Sequence, residues 1–162
     1  MIYRMLDRLV DWALIAVLAS MSAIVAANVF CRFVLGFSLY WGDEAAQALL
    51  VWLTFLGAAV AVRDRGHYSF DYLARSGNPR VRLAIAVASR VITIAALLAF
   101  LYWTVRVAWG IRPWIMPAME ISRVWVYAAG PVGCLLMLLY AGRDLVLVVR
   151  ERRAVETPVA AA

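Results

Sequence analysis

Four long apolar segments constrain the fold more than any other feature of this sequence. They cover residues 12–35, 45–62, 91–109 and 124–149. A helix of about 20 apolar residues crosses the hydrocarbon core of a bilayer. Because lipid offers the backbone no hydrogen-bond partners, such segments cross a membrane as helices. The sequence therefore predicts an all-α fold: a polytopic membrane helical bundle with four transmembrane helices, in one membrane domain spanning residues 1–162.

The composition also indicates that much of the chain is surrounded by lipid. Hydrophobic residues make up 66% of the chain and charged residues 16%, whereas a soluble domain has about 45–50% and about 25%. The formal net charge is +6, but the arginines flank the apolar segments and form no basic stripe. This pattern is typical of anchoring at a membrane surface, so we expect membrane lipid as a partner and no nucleic acid.

The first apolar segment has an alternative interpretation as a cleaved signal peptide. Arg4 and Arg8 precede it, and small residues occur near Ala26. Its apolar run is longer than that of a typical signal peptide, and Asp7 and Asp11 interrupt the basic region. The first segment is therefore predicted to be a membrane span.

Arginine distribution predicts the orientation in the membrane. Arginines are most frequent at the N-terminus, in the loop 63–82 after the second segment, and at the C-terminal end. The positive-inside rule places loop 63–82 and both termini in the cytoplasm. Residues 151–162 are expected to form a flexible tail. Asn78 and Pro79 form an N-cap and first-position pair that predicts a helix start.

The sequence offers no pattern for a cofactor or metal. Cys31 and Cys134 lack metal-ligand spacing. His67 is the only histidine, and one histidine cannot supply both axial ligands of a bis-histidine haem. We therefore predict no cofactor and no metal.

The middles of the four segments contain no Asp, Glu or His. Coupled carriers and proton pumps usually place an ionisable group or a broken helix near the midplane. The composition of the spans therefore favours an accessory role over independent transport. A self-contained small transporter or channel formed by oligomerisation remains the alternative.

Small residues recur at the four-residue spacing that lets membrane helices approach closely. Such spacing joins Ala19 to Ala23 and Ala27, Gly57 to Ala61, and Ala129 to Gly133. These ridges can pack the helices of this chain or receive a second protein, and the sequence leaves both open. Pro131 predicts a kink in the fourth span.

The densest polar stretch covers residues 63–71. A catalytic interpretation would pair His67 as a base with Asp71 as its orienting group. No activated nucleophile accompanies them, so we expect no enzymatic activity and a structural role for this stretch, including Arg63.

Motifs distributed along most of the chain resemble those of one family. They are Asn28-Val29-Phe30-Cys31-Arg32-Phe33; Trp41-Gly42-Asp43-Glu44; Gly57; Arg63, Gly66, His67 and Asp71; and Ile121, Trp125, Tyr127, Pro131 and Gly133. In this order and spacing the chain resembles the small membrane subunit of tripartite ATP-independent periplasmic (TRAP) transporters, the DctQ-like family.

The resemblance implies a four-helix scaffold in the bacterial inner membrane. It would brace a large multi-span subunit that imports an organic acid by sodium-coupled secondary transport. A periplasmic substrate-binding protein would deliver the solute. Interface or structural residues are predicted among the motif positions, and Arg32, Asp43 and Glu44 are expected to form a charged group at the periplasmic mouth of the first two spans.

Overall fold

A computed structural model describes the backbone of residues 2–73 and 79–156 and the side chains of residues 4–64 and 87–146. The helices are α1 (Ile2–Phe30), α2 (Gly42–Leu73), α3 (Pro79–Gly110), α4 (Val124–Tyr127) and α5 (Ala129–Glu156), and a π-turn (Cys31–Leu35) extends α1. Four stretches of these helices are long and apolar enough to cross a membrane, namely Arg4–Leu35, Gly42–Asp64, Val87–Gly110 and Val124–Val146. The predicted all-α fold with four membrane spans is confirmed.

The connection between the first two spans is short because the π-turn ends on a glycine. Gly36 has a φ of 72° and donates its backbone N–H to the carbonyl of Cys31. This left-handed conformation costs a glycine little, since it has no Cβ to clash with the backbone. The chain then reverses and enters α2 at Gly42.

Helix α2 extends well past the apolar segment that predicted it. It continues to Leu73, so residues 63–73, expected to be part of a loop, are helical. The first proline after the start of α2 is Pro79, and the single Gly66 costs a helix only about 1 kcal/mol. The apolar segment marks the part of the helix that lies within the membrane. The helix itself continues until a helix-breaking residue such as proline is near.

Helix-breaking residues also account for where the helix of the third span begins and where the helix of the fourth span ends. Helix α3 begins at Pro79, as the Asn78–Pro79 pair predicts. Helix α5 continues to Glu156, so residues 151–156, expected in a flexible tail, are helical, since no proline or glycine lies between Gly142 and Pro158. The rest of that tail, residues 157–162, lies outside the described residues.

The fourth span is divided between α4 and α5, three residues before Pro131. Proline has no N–H to donate to the carbonyl four residues earlier, here that of Tyr127. Bonds on either side persist, from Ala128 N–H to the Val124 carbonyl at 2.7 Å and from Val132 N–H to the Ala128 carbonyl at 3.1 Å. The interruption expected from Pro131 is therefore present.

The described helices pack side by side in a layer. Helix α1 packs on α2, α2 on α5, and α5 on α3. Among the described residues, α1 makes no close backbone approach to α3 or α5. Helices α1 and α3 thus form the two edges of the layer.

Each edge helix contacts its neighbour along one narrow seam. The less exposed positions alternate in steps of three and four, which is the spacing of coiled-coil packing. They are Leu14, Val17, Met21, Ile24 and Asn28 in the second half of α1, Cys31 at the start of the π-turn, and Val87, Arg90, Ile94, Leu97, Leu101, Thr104 and Ala108 in α3. The other positions within residues 14–31 and 87–110 are exposed.

The core lies between α2 and α5. Ala59, Cys134, Met137 and Tyr140 are buried there and pack against partly buried neighbours such as Phe55. Gly133 is at the closest approach, because a Cβ added to it would lie 2.7 Å from the Cβ of Phe55. At Gly57 an added Cβ would meet only Leu14, at 4.0 Å, so this glycine is not at a tight contact.

Candidate functional site

Polar side chains gather at the two ends of the layer. The first group surrounds the start of α2, where Asp43 and Glu44 occupy the first turn. Carboxylates are favoured there by the positive end of the helix dipole. The carbonyl of Trp41 accepts the N–H of Ala45 at 3.0 Å and so begins the helix.

Asn28 connects α1 to this turn through both ends of its amide. Its Nδ2 donates to Oδ1 of Asp43 at 3.0 Å, and its Oδ1 accepts the backbone N–H of Leu39 at 3.0 Å. Gly42 makes room for the amide, since a Cβ at that position would lie 3.2 Å from Cγ of Asn28. Asn28 is part of the family-like motif, but no local pattern distinguished it from its neighbours.

Glu44 holds the connection between α3 and α4. Its Oε2 accepts the backbone N–H groups of Ala118 and Met119 at 3.0 and 3.1 Å. That connection folds as a hairpin, with the N–H of Met116 bonded to the carbonyl of Ile121 at 2.9 Å. Hydrogen bonds to a charged acceptor are stronger than neutral ones, so Glu44 couples α2 to the hairpin.

Arg32 does not join the two carboxylates in one ion-paired group. Within the described part of the chain, no ion pair connects Arg32 to Asp43 or Glu44. The Asn28 amide and the hairpin N–H groups occupy oxygens of those acids instead. Arg32 and Asp43 do line the same cleft between the end of α1 and the start of α2.

The second group is a set of ion pairs at the end of the helix layer opposite to Glu44. We call this set of ion pairs the ionic layer. Arg63 on α2 pairs with Asp11 on α1 at 2.9 Å, and also with its neighbour Asp64 at 3.0 Å. Arg143 on α5 lies 3.9 Å from Asp7 on α1. These contacts connect α1 to both inner helices.

The ionic layer also reaches the other edge helix. Nε of Arg90 on α3 lies 2.8 Å from Oδ2 of Asp144 on α5, and only 10% of the Arg90 side chain is exposed. The ionic layer therefore joins all four spans. Sequence reasoning missed it, although Asp7 and Asp11 are four residues apart and so share one helix face.

Arg63 and Asp64 are the members of the polar stretch 63–71 whose side chains are described, and both take part in the ionic layer. His67 and Asp71 belong to α2 by their backbone, but their side chains lie outside the described residues. Among the described residues, no group of three His, Cys, Asp or Glu side chains is close enough together to hold a metal ion.

The ridges of small residues differ in whether other parts of the chain cover them. Ala129 and Gly133 are buried, and Gly133 lies against Phe55 at the α2–α5 contact. Ala19, Ala23 and Ala27 are exposed on the outer face of α1. The ridge that contains Gly133 packs helices of this chain against each other. No described residue of the chain covers the ridge on α1.

Comparison with known proteins gives one family. The DctQ component of tripartite ATP-independent periplasmic transporters matches residues 21–151. The sialic acid TRAP transporter permease protein SiaT of Haemophilus influenzae is 26% identical over 133 residues, which are 82% of this chain and 22% of that protein. The sialic acid TRAP transporter small permease protein SiaQ of Vibrio cholerae is 17% identical over 138 residues, 85% of this chain and 80% of that protein.

Proposed function

This chain belongs to the DctQ component family of TRAP transporters and is a multi-pass small membrane subunit, and we propose that it braces a larger transport subunit. The observation that carries this proposal is the placement of charge. In the described spans, the ion pairs lie at one end and tie helix to helix. The acids at the other end accept bonds from Asn28 and from the hairpin.

A rigid layer with little polar chemistry inside the membrane suits a scaffold. A carrier binds its coupling ion with ionisable groups or broken helices near the midplane. The interruption before Pro131 lies close to the start of the fourth span, and the described carboxylates of α1, α2 and α5 lie toward the ends of their spans. The exposed outer faces of α1 and α3 leave a large apolar surface for lipid and for a partner.

A larger membrane subunit is the proposed partner. The region of SiaT that matches this chain makes up only 22% of that permease, so a unit like this one is joined there to a longer polypeptide. The similarity to the small permease protein SiaQ, of which the matched region covers 80%, supports a separate large subunit as the partner here. A soluble periplasmic binding protein would deliver an organic acid, and transport would be coupled to sodium.

The proposed location is the bacterial inner membrane, with both termini in the cytoplasm. The ionic layer would then lie at the cytoplasmic side, next to the arginine-rich residues 63–82. The hairpin held by Glu44 would face the periplasm, together with the exposed Trp109, Trp114 and Trp125. Tryptophan is enriched at membrane interfaces, which agrees with this placement.

Assembly is tested by co-expression with a large TRAP membrane subunit from the same organism. We expect the two to purify together through a tag on either one in a mild detergent. A tagged chain that is folded, as judged by its circular dichroism, yet never retains the large subunit would contradict the scaffold proposal.

A further inference from the structure

The cleft between the end of α1 and the start of α2 has a volume of about 170 Å³. It opens beside the π-turn, and π-helical insertions are frequent at functional sites. Arg32 and Asp43 line it together with apolar side chains, among them Val25, Val29 and Phe33. A cation and an anion therefore share one cleft without forming an ion pair with each other.

The two charged side chains differ in the contacts that they already make within the chain. Asp43 accepts one hydrogen bond, at Oδ1 from Asn28. Arg32 has no ion-pair partner in the described part of the chain. The side chain of Arg32 carries five N–H donors in a planar fork, a geometry that matches phosphate or carboxylate.

The surroundings of the cleft place it at a lipid boundary. Phe33 is 80% exposed, and Val25 and Val29 are exposed beside it. Phe37 and Tyr40, on the short connection to α2, are exposed as well. In a membrane these side chains contact acyl chains and headgroups, so the nearest abundant counter-ion for Arg32 is a lipid phosphate.

We propose that this cleft binds the headgroup of a zwitterionic aminophospholipid. The phosphate accepts hydrogen bonds from the Arg32 guanidinium, and the ammonium donates to the carboxylate of Asp43. One acyl chain follows the apolar side chains Val25 and Val29 toward the membrane interior. The site lies on this chain alone, so the inference goes beyond the scaffold proposal and does not depend on it.

The pairing of charges argues for this class of lipid. An anionic lipid without an ammonium group would satisfy Arg32 but bring its negative charge near Asp43. A single carboxylate from a protein would likewise leave Asp43 without a cation. Only a ligand that carries both signs a few ångströms apart matches both side chains, as phosphoethanolamine does.

Native mass spectrometry of the full purified chain tests the site. The chain is freed of lipid in detergent and then titrated with phosphatidylethanolamine or with phosphatidylglycerol. We expect one phosphatidylethanolamine to bind in preference to phosphatidylglycerol. Arg32→Gln should weaken that binding about tenfold or more, since it removes a charged hydrogen-bond donor.

Further variants separate the two contacts. Arg32→Lys should keep most of the affinity, and Asp43→Asn should remove the preference for phosphatidylethanolamine. The matched control is Arg106→Gln, which alters an exposed arginine that lies 5.9 Å from the ring centroid of Tyr102 on α3. This control should bind as the unaltered chain does.

Three results would overturn the proposal. The first is equal phosphatidylethanolamine binding by Arg32→Gln and Arg106→Gln. The second is equal affinity of the unaltered chain for both lipids. The third is displacement of the lipid by excess inorganic phosphate, which would indicate a simple anion site. Because Arg32 is exposed, Arg32→Gln should retain the unfolding temperature of the unaltered chain, which keeps the comparison interpretable.

Discussion

Gly133 sets the distance between α2 and α5, since a methyl group there would overlap Phe55. Glu44 has a similar local importance at the start of α2, where one carboxylate oxygen accepts hydrogen bonds from two backbone N–H groups of the hairpin. Small residues at four-residue spacing predicted a close helix contact that included Gly133. The sequence could not predict the partners of Glu44, because they lie about 75 residues away along the chain.

Gly133→Ala should destabilise the protein. The added Cβ would lie 2.7 Å from the Phe55 Cβ, and overpacking of this kind costs about 1–3 kcal/mol. The measurement is the unfolding temperature in detergent, with Gly142→Ala as the control in the same helix. A Cβ at Gly142 meets nothing within 4 Å, so this variant should be neutral or more stable. Equal loss of stability in both would contradict the close approach.

Glu44→Ala should loosen the hairpin. The backbone N–H groups of Ala118 and Met119 lose their acceptor, so their hydrogen exchange should accelerate. Glu44→Gln keeps an oxygen acceptor without the charge and should give an intermediate rate. Exchange measured by mass spectrometry on peptides covering residues 118–119 decides this. Unchanged protection in Glu44→Ala would show that the carboxylate does not hold the hairpin.

At the scale of elements, hydropathy predicted how many spans exist but not where their helices end. Helix α2 runs to Leu73 although its apolar segment stops near residue 62, because the polar residues that follow are not helix breakers. Proline was the reliable local signal, since it marked the start of α3 and the interruption before α5. The ionic layer depends on which helices are neighbours, and no local pattern determines that.

The ion pair between α3 and α5 should contribute measurably to stability. Asp144→Asn removes the charge of the carboxylate that lies 2.8 Å from Nε of Arg90, a side chain that is 10% exposed. Breaking a fully buried pair costs about 3–5 kcal/mol, and the 28% exposure of Asp144 argues for a smaller loss, about 2 kcal/mol.

A double-mutant cycle with Arg90→Gln separates the pair from the effects of each residue alone. The coupling is read from unfolding in detergent. Additive losses in the double variant would mean that the two side chains do not interact in the folded protein.

At the scale of the whole molecule, the layer has two edge helices that each use one narrow seam, and their outer faces remain exposed. These faces differ. The exposed ridge of α1 contains Ala19, Ala23 and Ala27, whereas α3 exposes bulky residues such as Trp103 and Trp109. Sequence periodicity predicted the ridge, but only the packing order shows that no described residue of this chain covers it.

The central claim is that this chain braces a transporter and does not carry solute itself. The most direct test is uptake of a panel of radiolabelled organic acids into proteoliposomes under an inward sodium gradient. We expect no accumulation with this chain alone, and accumulation when it is reconstituted with the large subunit and the binding protein. Solute accumulation by this chain in the absence of any other protein would contradict the account.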